Sequence, residues 1–182
     1  MRSFFASVLE VLEVVLIAVA AVFFIRNFLI QPFLVSGESM IPNFHDGDYL
    51  LVDELTYRFR TPVRGEVAVF RYPNNEAIYF IKRIVGLPGE KVQIKNGRVI
   101  IFNKEYPDGL TLDESYLSNG TVTSGSKELT LAANQYFALG DNRSYSFDSR
   151  LWGALAKKEI IGLVRVRLWP VTQLTAFAAP NY

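Results

Sequence analysis

The 182-residue chain has no cysteine and a single histidine, His45. The first absence removes disulfides, thiolate zinc sites and a cysteine nucleophile together. It also leaves no thiol exposed to oxidation outside a cell. Charge of either sign is without excess: 19 Lys+Arg stand against 18 Asp+Glu, a formal net charge of +1. Such a balance gives no long-range field to gather nucleic acid or another acidic polymer, so nucleic acid is not an expected partner. No internal repeat, low-complexity tract or helix-turn-helix pattern occurs. Residues 141–150 lack the Gly at position 6 and the terminal Glu of a calcium loop. Gly86-Leu87-Pro88-Gly89-Glu90 is not followed by the Gly-Lys-Ser/Thr of a phosphate loop. Neither a metal nor a cofactor is expected.

Apolar residues, by contrast, make up 50% of the chain, and the excess is concentrated at the N-terminus. Residues 8–25 are apolar except for Glu10 and Glu13, and 14–25 run without interruption into Arg26-Asn27. At a rise of about 1.5 Å per residue, roughly 18 to 20 such residues cross a hydrocarbon core about 30 Å thick. Residues 1–30 are therefore expected to form one N-terminal transmembrane helix that anchors the protein in the bilayer. The two glutamates lie near one end of the run, where they reach the headgroup layer instead of the costly bilayer centre. A cleaved signal peptide is the alternative, because Ala18-Val19-Ala20 has the small-x-small form of a cleavage site. The apolar run continues past it through Val22, Phe23, Phe24 and Ile25, which favours the anchor. Charge does not decide the orientation, with Arg2 and the α-amino group on one side and Arg26 on the other.

Beyond Gln31-Pro32 the pattern changes to short runs of β-branched, aromatic and aliphatic residues bounded by Gly, Pro, Asn and Asp. Strands are expected at 49–52, 66–72, 77–85, 91–95, 98–102, 135–139 and 160–168. This spacing makes 31–182 an all-β domain. Asn96-Gly97 predicts a hairpin, because a type I′ turn requires positive φ at both central residues. Residues 107–127 read as loop, so 91–133 form a small hairpin-and-loop insertion, a cap subdomain inside the β-rich domain.

Three segments carry chemistry. Ser39 lies in Ser36-Gly37-Glu38-Ser39-Met40-Ile41-Pro42, a turn-forming stretch able to expose a hydroxyl. Lys82 lies among Tyr79, Phe80, Ile81, Ile84 and Val85. Residues 140–150, Gly-Asp-Asn-Arg-Ser-Tyr-Ser-Phe-Asp-Ser-Arg, concentrate small polar and charged groups. Amide hydrolysis needs a nucleophile, a base that takes and returns its proton, and donors for the oxyanion. A lysine serves as base only when neutral, and at a pKa near 10.4 only about one in 2,500 is neutral at pH 7. Burial depresses a lysine pKa by up to about 3 to 5 units. Strand alternation places Phe80, Lys82 and Ile84 on one apolar face, which meets that demand. Taken singly, a serine in a turn is most often a turn residue and a strand lysine a snorkelling surface residue. Together and in this order, the three segments point to a serine hydrolase whose base is a lysine.

The three segments resemble those of type I signal peptidases, membrane-bound Ser/Lys endopeptidases that cut signal peptides from exported preproteins. The resemblance covers the chain from the apolar segment to about Trp169-Pro170 and includes Arg64-Gly65-Glu66-Val67-Ala68-Val69-Phe70 as a core strand. It implies Ser39 as nucleophile, Lys82 as general base and Ser146 as the hydroxyl that hydrogen-bonds and orients the amine. It implies a structural ion pair of Asp148 with Arg150, while Gly140, Asp141, Asn142, Arg143 and Ser149 complete the motif that supports the site. Val35, Gly37, Met40, Phe44, Phe80 and Ile81 match positions at the substrate site, whose apolar walls admit small residues at the first and third positions before the cut. These apolar residues also serve as core, since a pocket wall is core exposed on one side. Gly37 stands where some members have a serine that donates to the oxyanion, so that donor is missing, and Asn43 stands where Thr is usual. Also implied are a single-pass protein of the cell membrane with its catalytic domain on the extracytoplasmic side, signal peptides of preproteins and the lipid bilayer as partners, no cofactor, and a monomer.

Two rivals are set against this reading. A self-cleaving Ser/Lys repressor would carry a DNA-binding domain in place of the apolar segment. An inactive peptide-binding relative would be free to lose Ser39, Lys82 and Ser146, all of which are present. A histidine-based member of the family is disfavoured because His45 falls six residues past Ser39 while a lysine holds the base position.

Overall fold

In the computed structural model of the protein, residues 2–28 and 30–180 are described, with side chains given for 8–23 and 31–180. The apolar N-terminal run forms a helix, α1 (Arg2–Phe28). Its described side chains are exposed on every side, including Leu9, Val15, Leu16 and Val19. Such a helix has no single core-facing stripe. Among the described residues no helix is both long enough and apolar enough to cross a membrane. The two ends of the expected 1–30 anchor, residues 1–7 and 24–30, lie outside the described side chains.

The rest of the chain is mostly β-sheet. In order come β1 (Ile30–Leu34), β2 (Tyr49–Asp53), β3 (Val67–Tyr72), β4 (Asn75–Gly86), β5 (Lys91–Lys95), β6 (Arg98–Phe102), β7 (Leu110–Thr111), β8 (Lys127–Thr130), β9 (Gln135–Leu139), β10 (Leu155–Ala156), β11 (Ile160–Trp169) and β12 (Thr175–Ala176). An eight-stranded sheet runs β1-β2-β11-β3-β4-β9-β10, with β12 paired to β11; a second sheet runs β7-β6-β5-β8.

The seven expected strands are all present, and their composition explains where they sit. The first four residues of β3, 67–70, are buried on both faces and accordingly read as an unbroken apolar run. Val67 and Val69 join Leu50, Val52 and Val164 in one cluster, whereas Ala68 and Phe70 join Ile84, Ala138 and Leu155 in another. A third cluster, with Val85, Phe137 and Leu139 from the large sheet and Val92, Ile94, Val99 and Ile101 from the small one, binds the two sheets together. The Asn96-Gly97 turn has φ of 53° and 76°, the positive values a two-residue hairpin requires, and it pairs Lys95 with Arg98.

Five strands were not expected. β1 contains Pro32 and pairs only with β2, so it is an edge strand where a missing N–H breaks no ladder. β8 starts at Lys127, the last residue of the expected loop, and owes its extended form to pairing with β5. β7, β10 and β12 are two residues each, too short to show alternation.

Candidate active site

Ser39 lies on the loop between β1 and β2. The base of that loop is closed by Val35, whose N–H donates to the Asp48 carbonyl at 2.9 Å, while Gly47 N–H donates to the Val35 carbonyl at 3.0 Å. Gly37 takes φ of 94°, open to glycine at little cost, and its N–H donates to Asp46 Oδ1 at 2.7 Å. One turn follows, in which Asn43 and Phe44 N–H donate to the Met40 carbonyl at 3.0 and 2.9 Å. Met40 and Phe44, 1% and 0% exposed, plug the turn into the cluster beneath. The half-buried Ser39 thus rides on a loop anchored from below, and its own N–H meets no acceptor among the described residues.

Lys82 comes from the middle of β4, opposite Ala68 of β3. A small partner there leaves room for the lysine stem, and the side chain is buried, with the residue only 3% exposed. Its Nζ lies 2.6 Å from Ser39 Oγ, to which it donates, and 2.9 Å from the Ile81 carbonyl oxygen. It also lies 5.3 Å from the centroid of the Phe80 ring. No carboxylate forms an ion pair with it among the described residues. Burial pulls its pKa down from 10.5 to about 8, against the opposing pull of the Asp148 and Asp141 carboxylates. At that value roughly one amine in ten is neutral at pH 7.

The 140–150 segment holds these two residues together. Asn142 N–H donates to the Ser39 carbonyl at 3.0 Å, and its Nδ2 donates to the Glu38 carbonyl at 3.0 Å, tying the segment to the nucleophile loop. Asp141 accepts from Arg83 Nε at 2.8 Å and Nη2 at 2.6 Å, and from Asn43 Nδ2 at 2.8 Å. Asn43, in the place of the expected Thr, therefore joins the loop to the same carboxylate. Arg143 is buried among the Gly140 carbonyl, Glu114, Thr123 and Tyr116, which pins the 107–127 loop against the site. Asp148 and Arg150 form a bidentate pair at 2.8 and 2.9 Å, and Asp148 also accepts from Gly140 N–H at 3.1 Å. Ser149 Oγ accepts from Ala138 N–H at 3.0 Å.

Ser146 occupies the same neighbourhood but not the expected bond. A methyl group at Gly140 would overlap both Ser146 Oγ and the Ser39 carbonyl oxygen, so glycine is what allows the two segments to meet. Yet the buried Ser146 Oγ has no hydrogen-bond partner among the described residues, and the second acceptor for the lysine amine is the Ile81 carbonyl.

A cleft of about 340 Å³ opens beside Ser39 and Lys82. Val35, Gly37, Phe80 and Ile81, which the resemblance assigns to the substrate site, are among the residues that line it. Met40 and Phe44 do not: their side chains turn under the loop into the core, a correction that follows from the helical turn at Met40. The lining residues outside the expected set include four aromatics, Phe33, Tyr79, Tyr145 and Phe147. Phe33 and Tyr79 sit two and one positions before named residues, and Tyr145 and Phe147 flank Ser146. Tyr145 is 76% exposed, and Phe147 packs its ring on Phe80 and Tyr72 at 6.2 and 5.7 Å between centroids. Among the described residues no three His, Asp or Glu side chains converge to hold a metal ion.

A hydroxyl at hydrogen-bond distance from a buried amine of lowered pKa, at the floor of an apolar cleft, can perform acyl transfer. The chain is similar to proteins already known. The family described as "Signal peptidase, peptidase S26" matches residues 8–169. A relative named Signal peptidase I from Leptolyngbya laminosa is 38% identical over 165 residues, spanning 86% of this chain and 77% of its own length. Signal peptidase IB of Staphylococcus aureus (strain COL) is 33% identical over 184 residues, spanning 90% and 92%. A crystal structure of a signal peptidase I from Enterococcus faecalis V583 shares 28% identity and covers 57% of this chain and 97% of that one, with a TM-score of 0.48.

Proposed function

The chain belongs to the signal peptidase family, peptidase S26, and from that premise we propose that its serine endopeptidase chemistry is carried by Ser39 as nucleophile and Lys82 as general base. The activity is the cleavage of signal peptides. The observation that carries the residue assignment is the 2.6 Å contact between Ser39 Oγ and a buried lysine that has no carboxylate ion-pair partner among the described residues.

In the reactive state the amine is neutral and accepts the proton of the Ser39 hydroxyl as Oγ attacks the scissile carbonyl. The Ile81 carbonyl holds the amine in place meanwhile. The Ser39 N–H donates to the developing oxyanion, whereas the Gly37 N–H is already committed to Asp46. The ammonium of Lys82 then returns its proton to the leaving amine. Water hydrolyses the resulting ester of Ser39, again with Lys82 as base. Ser146 Oγ, without a hydrogen-bond partner among the described residues, serves as a positioning group that meets the amine when Lys82 turns toward the leaving group.

Signal peptides enter the cleft in extended form with small residues at the first and third positions before the cut, where the walls made by Val35, Phe80 and Ile81 exclude larger ones. The α1 segment anchors the protein in the cell membrane with the β-domain outside the cytoplasm, a reading supported by the uninterrupted apolar run 14–25 and the exposure of its described side chains. The deciding experiment incubates the purified full chain in detergent with a preprotein and sequences the N-terminus of the product. A new N-terminus after a small-x-small triplet is the expected result; an uncut preprotein rejects the proposal.

A further inference from the structure

After β11 the chain turns back on itself. A 3-10 turn at Val171–Gln173 leads into β12, which pairs Ala176 with Val166 and Thr175 with Arg167. Phe177 N–H then donates to the Arg165 carbonyl at 2.8 Å. This return places the Phe177 ring against the underside of the nucleophile loop, with its centroid 4.4 Å from that of Phe44. It packs there on the cluster that contains Val35, Met40 and Phe44.

Arg167 lies under the same two rings, its guanidinium carbon 5.4 Å from the Phe177 centroid and 5.7 Å from the Phe44 centroid. The residue is only 6% exposed; its two terminal nitrogens make hydrogen bonds, while Nε makes an ion-pair contact without a hydrogen bond among the described residues. Nε lies 2.9 Å from Asp48 Oδ2, Nη1 donates to Gln173 Oε1 at 2.8 Å, and Nη2 donates to the Asn43 carbonyl. Asp48 in turn accepts from His45 N–H at 2.9 Å and closes the loop base with Val35. Phe44, Asn43 and Asp48, which help fix the 36–48 loop from below, are thus touched by Phe177 or by the arginine it covers. Ala178, Ala179 and Pro180 continue as one wall of a cavity of about 380 Å³ whose other walls include Asn43 and Arg83.

We propose that residues 175–180 form a strap that sets the position of Ser39 relative to Lys82, with Phe177 as the positioning residue acting through Phe44 and Arg167. The inference rests on Ser39 being the nucleophile. A reacting pair held at 2.6 Å tolerates little displacement, since a shift of about 1 Å costs on the order of 10²-fold in rate. Neither Phe177 nor Arg167 lines the substrate cleft. The strap therefore acts on turnover through the loop, without a contact of its own to substrate.

The test compares full-length Phe177→Ala and Phe177→Leu with the wild type in detergent, by preprotein cleavage kinetics and by amide hydrogen exchange. The strap predicts that kcat of Phe177→Ala falls about 10- to 100-fold with KM within twofold, that Phe177→Leu recovers most of the loss, and that exchange accelerates at 40–48 but not at 79–86. Unchanged exchange at 40–48 overturns the strap whatever the activity does, and so does a kcat within twofold of wild type. Faster exchange across both sheets, with activity lost in proportion to folded protein, also overturns it in favour of a general stabilising role. Undiminished activity of Ser39→Ala would instead reject the nucleophile, a failure that the exchange data at 40–48 tell apart.

Discussion

Two neighbourhoods of buried cations meet at the site and are treated in opposite ways. Lys82 has burial, a hydroxyl and a carbonyl, and no ion-pair partner among the described residues. Arg83, the next residue along β4, is bound bidentately by Asp141, donates to the Gly65 carbonyl at 2.7 Å and stacks 4.2 Å from the Tyr116 ring centroid. Arg143 and Arg150 are satisfied to a similar degree by Glu114 and Asp148. Where a charge holds segments together, the fold gives it a carboxylate of matching geometry. Where a proton has to move, it gives burial and neutral hydrogen-bond partners. The two treatments are linked, because Asp148 and Asp141 both raise the pKa of Lys82 and each is neutralised by an arginine.

The largest expected effect tests the sparse side of this contrast. Ser39→Ala and Lys82→Ala should each lower preprotein cleavage by about 10⁴-fold or more while leaving the β-domain folded, since nucleophile and base act as a unit. Retention of activity within tenfold of wild type by either variant, measured by gel assay, breaks the comparison at its root. Activity of the wild type should rise with pH through about 8 and then level, as the amine loses its proton. A transition near 6.5 that disappears in His45→Ala would identify a different base.

The same burial has a stability consequence of opposite sign to the activity. Below pH 8 the amine is protonated in both folded and unfolded chains, so folding buries a charge and the full penalty applies. Between about 8 and 10.5 the folded amine is neutral while the unfolded one still binds its proton, so stability rises with pH until the penalty is gone. The drop from 10.5 to about 8 corresponds to about 3 kcal/mol. Lys82→Met should therefore be inactive yet more stable than wild type at pH 7 by up to about that amount, with the gap closing near pH 10 in denaturant titrations. A variant less stable than wild type at pH 7 contradicts this.

On the crowded side, Arg150→Met leaves a fully buried Asp148 without its partner and should destabilise by about 3 to 5 kcal/mol. In the protein that remains folded, the activity limb should move to higher pH, because the exposed negative field favours the charged amine. An unmoved limb separates the two neighbourhoods and ends the idea that they are linked. Ser146→Ala should lower kcat by only about tenfold, as its hydroxyl has no bond to lose among the described residues of the resting site. Smallest of all, Tyr145→Ala should alter the preference among preproteins by less than about tenfold and stability by less than about 0.5 kcal/mol, since the ring projects from the cleft.

What could be read from the residues follows the range over which each feature is encoded. Strand alternation and the Asn96-Gly97 turn are local, and both the strands and the hairpin lie where they were expected. Ser39 and Lys82 were identified by short motifs, though the contact that joins them spans 43 positions. Met40 and Phe44 are assigned to the substrate by the resemblance alone, and the turn that aims them inward has no signature in that match. The partners of Arg143 come from positions 114, 116 and 123, loop residues whose composition signals only irregular structure. The return of Phe177 to the nucleophile loop had no signal at all, because two-residue β12 has no period and its pairing is decided by the exposed edge it meets.

The adjacency of Lys82 and Arg83 makes the pairing of β4 with β3 more than a matter of packing. Successive residues of a strand face opposite ways. A slip of one place in the Ala68–Lys82 register would offer Ser39 a guanidinium in place of an amine, a group that stays protonated at every pH the protein meets. The chain would keep its composition and most of its strands and be chemically dead. Fidelity of strand alignment during folding is therefore itself a requirement of catalysis, and the apolar residues that lock β3 to β4 safeguard the identity of the base as well as its surroundings.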